Sequence, residues 1–246
     1  MYRFFAEQSA CKGEYISIGG ADWNHMKNVL RLKTGEQVTV SDGSEREYIC
    51  EIAEYLDDEA RLRILDILDS AAELPTEITL YQGFPKGDKL ELIIQKAVEL
   101  GAARIVPVMT KRSIVKLDEK KAAKRIERYN AIALSAAKQS KRSRIPVVEP
   151  VMTYAQALKD AEGLEMNLIP YEDARGIQYA KKIIHQIPGK KSLGIFIGPE
   201  GGFEESEVEA AREIGAECIT LGHRILRTET AGMAVLSILM FELEQD

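Results

Sequence analysis

"IFIGPEGGFEESEVEAA", residues 195–211, passes from a short apolar run, through a turn of three glycines and a proline, into an acid-rich stretch. A strand that turns on glycine into a helix is the unit of a parallel α/β sheet, and such a turn commonly cradles a phosphate. This one is not GxGxxG and lacks the Lys-Ser/Thr of a P-loop. Glu200 sits in its middle, and Glu204, Glu205 and Glu207 follow it. Glycine lets backbone approach a ligand closely, but Glu200 repels a phosphate placed in that nest. A neutral or cationic ligand, held by backbone groups at an adenine or ribose, suits the stretch better. The same spacing also suits a plain tight turn.

Strand-helix alternation extends on both sides of this turn. From Ile78, "ITLYQGF", "RIVPVM", "NLIPYE", "LGIFIGPE" and "CITLG" read as strands. "GDKLELIIQKAVELG" reads as an amphipathic helix ended by Gly101, and residues 118–140 as a long helix. Further helices are expected at about 153–161, 204–214 and 229–243. The pattern predicts a parallel sheet covered on both faces, with ligands at the carboxyl ends of its strands. Three of those ends carry loop chemistry: "IPYED", "IGPEGGF" and "LGHRILRTETAG". In the last, Thr228 or Thr230 can cap the final helix with Glu229 in its first turn.

Before Ile78 the rhythm is different. "YRFFA", "EYISI", "EQVTVS", "REYICEIAEY" and "ARLRILDIL" are short strand candidates, with a helical patch in "GADWNHMKNVLR" and a hairpin turn at Asp42-Gly43. Several short strands around one small helix predict a compact barrel. "DSAAELPTE" reads as the linker.

The net charge of −6 conceals an asymmetry. From Lys111 to Arg144 stand twelve Lys and Arg against three Asp and Glu, so the rest of the chain is strongly acidic. One concentrated basic segment on an acidic protein is the charge layout of a nucleic-acid binder, and equally of a solvated charged helix. Lys121, Lys124, Arg125 and Arg128 cluster on neighbouring helical turns, and "KQSKRSRIP" continues the basic run. Cys11, Cys50 and Cys218 are far apart with no CxxC, which argues against a zinc site or disulfide framework and fits a reducing cytoplasm. The N-terminus has no secretory h-region, and the run "AGMAVLSILMF" is too short to span a bilayer. His25, His185 and His223 have no sequence partner that suggests catalysis, and no Ser/His/Asp arrangement stands out.

Taken together, "GFPKGDKLELIIQKAVELGAARIVPVMTKRSIVK", "ALSAAKQSKRSRIPVV", "IFIGPEGGFEESEVEAA" and "TLGHRILRTETAGMAVLSIL" resemble the RsmE family across nearly the whole chain. These are bacterial methyltransferases of the SPOUT superfamily that modify N3 of a uridine in small-subunit (16S) ribosomal RNA. The resemblance implies a PUA-like RNA-binding β-barrel over residues 1–72. It also implies a SPOUT α/β domain over 73–246, with a C-terminal trefoil knot through which two copies pair as a homodimer. It implies S-adenosyl-L-methionine as cofactor; from the cysteine spacing and the short apolar run, no metal and no membrane partner are expected. By motif, the cofactor site comprises Ile169, Pro170, Tyr171 and Glu172; Ile197, Gly198, Pro199, Glu200, Gly201 and Gly202; and Leu221, Gly222, Ile225, Leu226 and Arg227. Where family members commonly carry Ser or Thr after "GPEGGF", this chain has Glu204, a weaker cap, so the helix start is expected to shift by a residue or two.

Methyl transfer from a sulfonium to uracil N3 requires the N3 proton to leave and negative charge to spread onto O2 and O4. Arg227 is the expected stabiliser of that charge, and Glu200 or Glu229 can take the proton. The RNA is expected on Lys86, Arg112, Lys116, Lys138, Gln139, Lys141, Arg142 and Arg144. Two other classes compete: a non-catalytic RNA-binding assembly factor on the same scaffold, and a small-molecule α/β enzyme that leaves the barrel and the basic segment idle.

Overall fold

The structure, a computed structural model, describes residues 1–7, 10–43, 46–69, 72–113, 119–172 and 175–244. The chain forms two units, one of Met1–Glu73 with Ala137–Ile145, the other of Leu74–Ala136 with Pro146–Asp246.

The first unit is built on β1 (Tyr2–Phe5), β2 (Cys11–Lys12), β3 (Tyr15–Gly19), β4 (Gln37–Ser41), β5 (Arg46–Tyr55) and β6 (Glu59–Asp69). They form one sheet in the order β1-β4-β5-β6-β3-β2, with β1 parallel to β4 and the other pairs antiparallel. Alternate residues of β5 point inward. Phe4, Ile16, Ile18, Val40, Ile52 and Leu62 from five strands share a single core, so the sheet curls around it. The helical patch is α1 (Gly20–Asn24) running into a π-turn at His25–Val29, which seats Met26 in that core. The Asp42-Gly43 hairpin joins β4 to β5, with Gly43 at φ +79°.

Residues 137–145 belong to this unit through a buried charge. Arg142 is 3% exposed and grips Glu73 at 2.6 Å. The backbone amides of Ser143 and Arg144 donate to the same carboxylate at 3.0 and 3.1 Å. Lys138 is ion-paired with Asp22 at 2.6 Å.

The second unit is an all-parallel sheet. Its strands are β7 (Glu77–Gly83), β8 (Ala102–Met109), β9 (Val147–Val148), β10 (Met152–Thr153), β11 (Met166–Pro170), β12 (Ser192–Ile197) and β13 (Glu217–Ile219). The order is β10-β8-β7-β12-β11-β13, with β9 pairing β8. The helices are α2 (Lys89–Glu99), α3 (Glu119–Gln139, its last residues in the first unit), α4 (Tyr154–Ala161), α5 (Gly176–Ile184), α6 (Glu205–Glu213) and α7 (Thr228–Leu243). Tyr81, Val106 and Phe196 pack against α4 and α6, while Gln82 and Ile197 face α7 at Gly232. Near-continuous burial along β7 and β12 is what a strand covered on both faces requires. The chain builds outward from β7 through β8 to β10, then returns to the other side of β7 for β11, β12 and β13. The site lies at the carboxyl ends on that returning side.

The helix α5 has no counterpart in the sequence reading. Its apolar positions Ile177, Ala180, Ile183 and Ile184 do have helical spacing, but its N-cap, Arg175, makes no capping bond, so no start signal marks it. Among the described residues, no helix is long and apolar enough to cross a membrane.

Candidate active site

The loops that leave β11, β12 and β13 converge on one cavity of about 1080 Å³, which α5 borders with Gly176 and Ile177. Irregular backbone exposes N–H and C=O groups that regular structure would consume, so three such loops around a void make a binding surface rich in backbone donors and acceptors. Of the residues expected there, Pro170, Tyr171 and Glu172 line the cavity after β11. Ile197 through Gly202 line it after β12, and Leu221, Gly222, Ile225, Leu226 and Arg227 after β13. Ile169 does not; it is fully buried in the sheet core, one residue short of the strand end.

The glycine loop is held in place by close approach. A Cβ on Gly83, at the end of β7, would meet the Pro199 nitrogen at 2.5 Å. Gly202 turns at φ +69° and donates its N–H to the Pro199 carbonyl at 2.8 Å. Arg112 lies along Gly201, donating to its carbonyl at 2.7 Å. Beneath the loop, the Thr228 hydroxyl donates to the Gly198 carbonyl at 2.6 Å and accepts from Gln82 at 2.8 Å. Thr228 is the first residue of α7 and 5% exposed, so its hydroxyl is spent on tying β7, the β12 loop and α7 together. The cap position itself falls to Arg227, which makes no capping bond.

Glu200 turns away from any phosphate nest. Its carboxylate accepts from the Lys86 backbone N–H at 3.1 Å and pairs with the Lys89 ammonium at 3.0 Å. Burial pushes this carboxyl up, but the Lys89 hydrogen bond, the loop amides and the Lys89 charge together hold it below the usual carboxylate range. The hydrogen bond that Lys89 donates to Glu200 in turn raises the lysine's own pKa. Lys89 also faces Glu229, whose Oε2 lies 3.6 Å away; that oxygen is buried and has no hydrogen bond. Lys89 opens α2 and lines the cavity, yet nothing in its local spacing marks it; the contact joins residues 111 and 140 positions apart.

Arg227 is exposed at the cavity edge, and its guanidinium has no partner among the described residues. Arg224 and the 88% exposed Ile225 stand on the same loop. The helix after the glycine loop begins at Glu205 with Glu204 at its N-cap, so the shift of the helix start expected from the weak cap does not occur. The capping bond comes from Glu207 instead: it is 3% exposed, accepts from the Glu204 N–H at 2.9 Å and from the Lys111 N–H at 2.8 Å.

The residues expected to meet RNA are dispersed. Lys86 and Arg112 flank the glycine loop in the α/β unit. Lys138, Gln139, Lys141, Arg142 and Arg144 all belong to the β-rich unit, where Gln139 and Lys141 are exposed. Arg142 is buried on Glu73 and cannot reach a phosphate, a correction to the sequence reading. Lys116 lies outside the described residues.

The sequence matches an RNA methyltransferase domain model over residues 72–240 and an RNA methyltransferase PUA domain model over 18–65. It is 37% identical to ribosomal RNA small subunit methyltransferase E of Bacillus subtilis, over 99% of this chain and 98% of that protein. The protein of the same name from Mesomycoplasma hyopneumoniae is 30% identical over 96% and 98%. In structure the chain is similar to ribosomal RNA small subunit methyltransferase E of Neisseria gonorrhoeae bound to S-adenosyl methionine, with a TM-score of 0.82, 32% identity, and 98% and 97% coverage. A putative methyltransferase of Legionella pneumophila in complex with the same cofactor gives a TM-score of 0.83 at 30% identity, over 98% and 97%.

Proposed function

The chain belongs to the ribosomal RNA small subunit methyltransferase E family, and on that premise we propose that it transfers a methyl group from S-adenosylmethionine to N3 of a uridine in 16S ribosomal RNA. The observation that carries this is the cavity at the three strand ends, walled by the backbone of three loops. Apolar Ile177, Ile197, Leu221 and Leu226 suit a purine ring, and the loop amides and carbonyls suit the ribose and amino-acid groups. When bound, the cofactor supplies an electrophilic methyl on a sulfonium.

This chain's own residues then bind, orient and stabilise. Arg227, partnerless at the cavity edge, is our choice for the cation at the uracil carbonyl oxygens as N3 loses its proton. Glu200 is held by Lys86 and Lys89 and its affinity for a proton is lowered, so it serves as an anchor of the loop, not as a base. The buried oxygen of Glu229 points to the same indirect role, and the N3 proton leaves to solvent under the pull of Arg227.

We assign the RNA grip to Lys86 and Arg112 beside the cavity and to Gln139, Lys141 and Arg144 on the β-rich unit. The Lys138 ion pair and the buried Arg142 act as internal braces. We read the passage from β13 into α7 as the knotted part of the chain. The exposed Ile238 and Phe241 of α7 form the face through which two copies pair, in the cytoplasm where the ribosome is.

The test is incubation with methyl-labelled S-adenosylmethionine and either free 16S RNA or small subunits that lack the mark. N3 methylation blocks Watson–Crick pairing, so label transfer is expected to coincide with a new reverse-transcription stop at a uridine. No transfer to either substrate would sink the proposal.

A further inference from the structure

In the β-rich unit, two exposed cations stand where a helix end ordinarily carries glycine. Arg31 (φ +55°) and Lys141 (φ +61°) are the non-glycine residues with left-handed backbone among the described residues; every other such position is a glycine. A Cβ strains that conformation. Both residues close a helical segment just past its cap, the position where glycine is the ordinary choice. The helices α2 and α6 end that way, with Gly101 at φ +92° and Gly215 at φ +82°. The turn itself is needed in both places. At Lys141 it lets the Arg142 N–H reach the Ala137 carbonyl at 3.0 Å and brings the amides of Ser143 and Arg144 onto Glu73. At Arg31 it follows the π-turn and returns Leu32 to the core, with the Leu32 N–H on the Met26 carbonyl at 3.0 Å. Glycine would make either turn with less strain, so the turns do not explain the side chains. Contacts do not explain them either: both residues are exposed, and neither side chain has a hydrogen bond, ion pair or ring contact with a described residue.

We propose that Arg31 and Lys141 are contacts to RNA phosphates, kept in place of glycine at the expense of fold stability. The inference rests on the RNA substrate proposed above and adds Arg31 to the grip. The two helix ends are neighbours in one unit: Lys138, one turn before Lys141, pairs with Asp22 of α1 and lies over the Phe4 ring, which meets His25 edge-on. Strained backbone and π-turns both gather at functional sites. On a chain of net charge −6, two neighbouring cations without partners answer a phosphate backbone, because each contact releases counterions from it. A cation past a helix end also interacts with the helix dipole, but at exposed positions water and salt screen that effect, and the strain opposes it.

The experiment compares Arg31→Gly, Lys141→Gly and the double variant with the unaltered protein. It reads the melting temperature without RNA, and equilibrium binding of 16S ribosomal RNA, free or in small subunits that lack the mark, across a salt series. Each single variant is expected to melt about 2 °C higher, because the strain is gone. The double variant is expected to bind the RNA about tenfold more weakly, and its plot of log affinity against log salt concentration to be shallower by about 0.7–0.9 for each cation removed. A protein that is more stable and binds less cannot owe the loss to misfolding. Arg31→Lys and Lys141→Arg, which keep charge and strain, are expected to match the unaltered protein in both readings. A higher melting temperature with unchanged affinity and slope would leave the cations idle and overturn the inference. A lower melting temperature would overturn it too, since the side chains would then be holding the turns. A loss of affinity with no change of slope would show that no phosphate contact was removed, and would count against it equally. If the unaltered protein binds neither form of the RNA, the substrate reading itself falls, and the inference with it.

Discussion

Arg227 and Glu200 show how differently two charges on one cavity can be employed. Arg227 has no partner among the described residues, so its removal should cost chemistry and leave the pocket standing. Arg227→Ala is expected to lower the single-turnover methylation rate at least about a hundredfold, while the dissociation constant for S-adenosylmethionine stays within a few fold. A large loss of cofactor binding would make Arg227 a pocket residue instead. Glu200 has a carboxyl group held below the usual range, so its contribution to stability is present at neutral pH and lost as pH falls through its folded-state pKa. Glu200→Gln should therefore lower the melting temperature at pH 7, and the gap to the unaltered protein should close in acid. A gap that persists in acid would mean that the carboxylate's charge is not what holds the loop. Gly83 is a packing case: a Cβ there meets backbone of the glycine loop, which cannot swing aside like a side-chain tip. Gly83→Ala should cost about 1–3 kcal/mol in denaturant unfolding.

At the scale of elements, the start of α6 rests on one buried acid. Glu207 satisfies two backbone amides from separate segments, Glu204 and Lys111. Glu207→Ala is expected to destabilise the protein by about 2 kcal/mol, whereas the exposed Glu205→Ala should be nearly neutral; equal effects would remove the distinction. The sequence already carried this element: strand, glycine turn and helix were legible in residues 195–211, but the shift expected from the weak cap at Glu204 is absent, because Glu207 satisfies the amide of the N-cap residue. Periodicity also revealed the long strands and α2, α3, α4 and α7, because each buries one face or both. What escaped were elements without that signal. The strands β2, β9 and β10 have two residues each, and α5 lacks a cap. Lys89 escaped for another reason. Its partners are set by which strands become neighbours, and no local spacing encodes that.

For the whole molecule, the exposed apolar face of α7 is the feature to test. Phe241 is 85% exposed and Ile238, one turn before it, 42%. Large apolar groups left to water on a helix mark an interaction face. If the proposed pairing runs through this face, replacing both by Glu is expected to leave only a 27.5 kDa monomer in sedimentation velocity; an unchanged larger species would place the interface elsewhere. The composition showed the basic segment but not its division, since burial of Arg142 on Glu73 and pairing of Lys138 with Asp22 are facts of tertiary structure. The hydroxyl of Thr228 has one more consequence, which concerns timing. The glycine loop hangs from that hydroxyl and from Gln82, on a helix that follows it in the chain. During synthesis, strand and turn leave the ribosome first and have nothing to hang from until residues 228–243 emerge and dock. Until α7 docks, the glycine loop therefore lacks the hydroxyl that anchors it, however early its own strand and turn have formed.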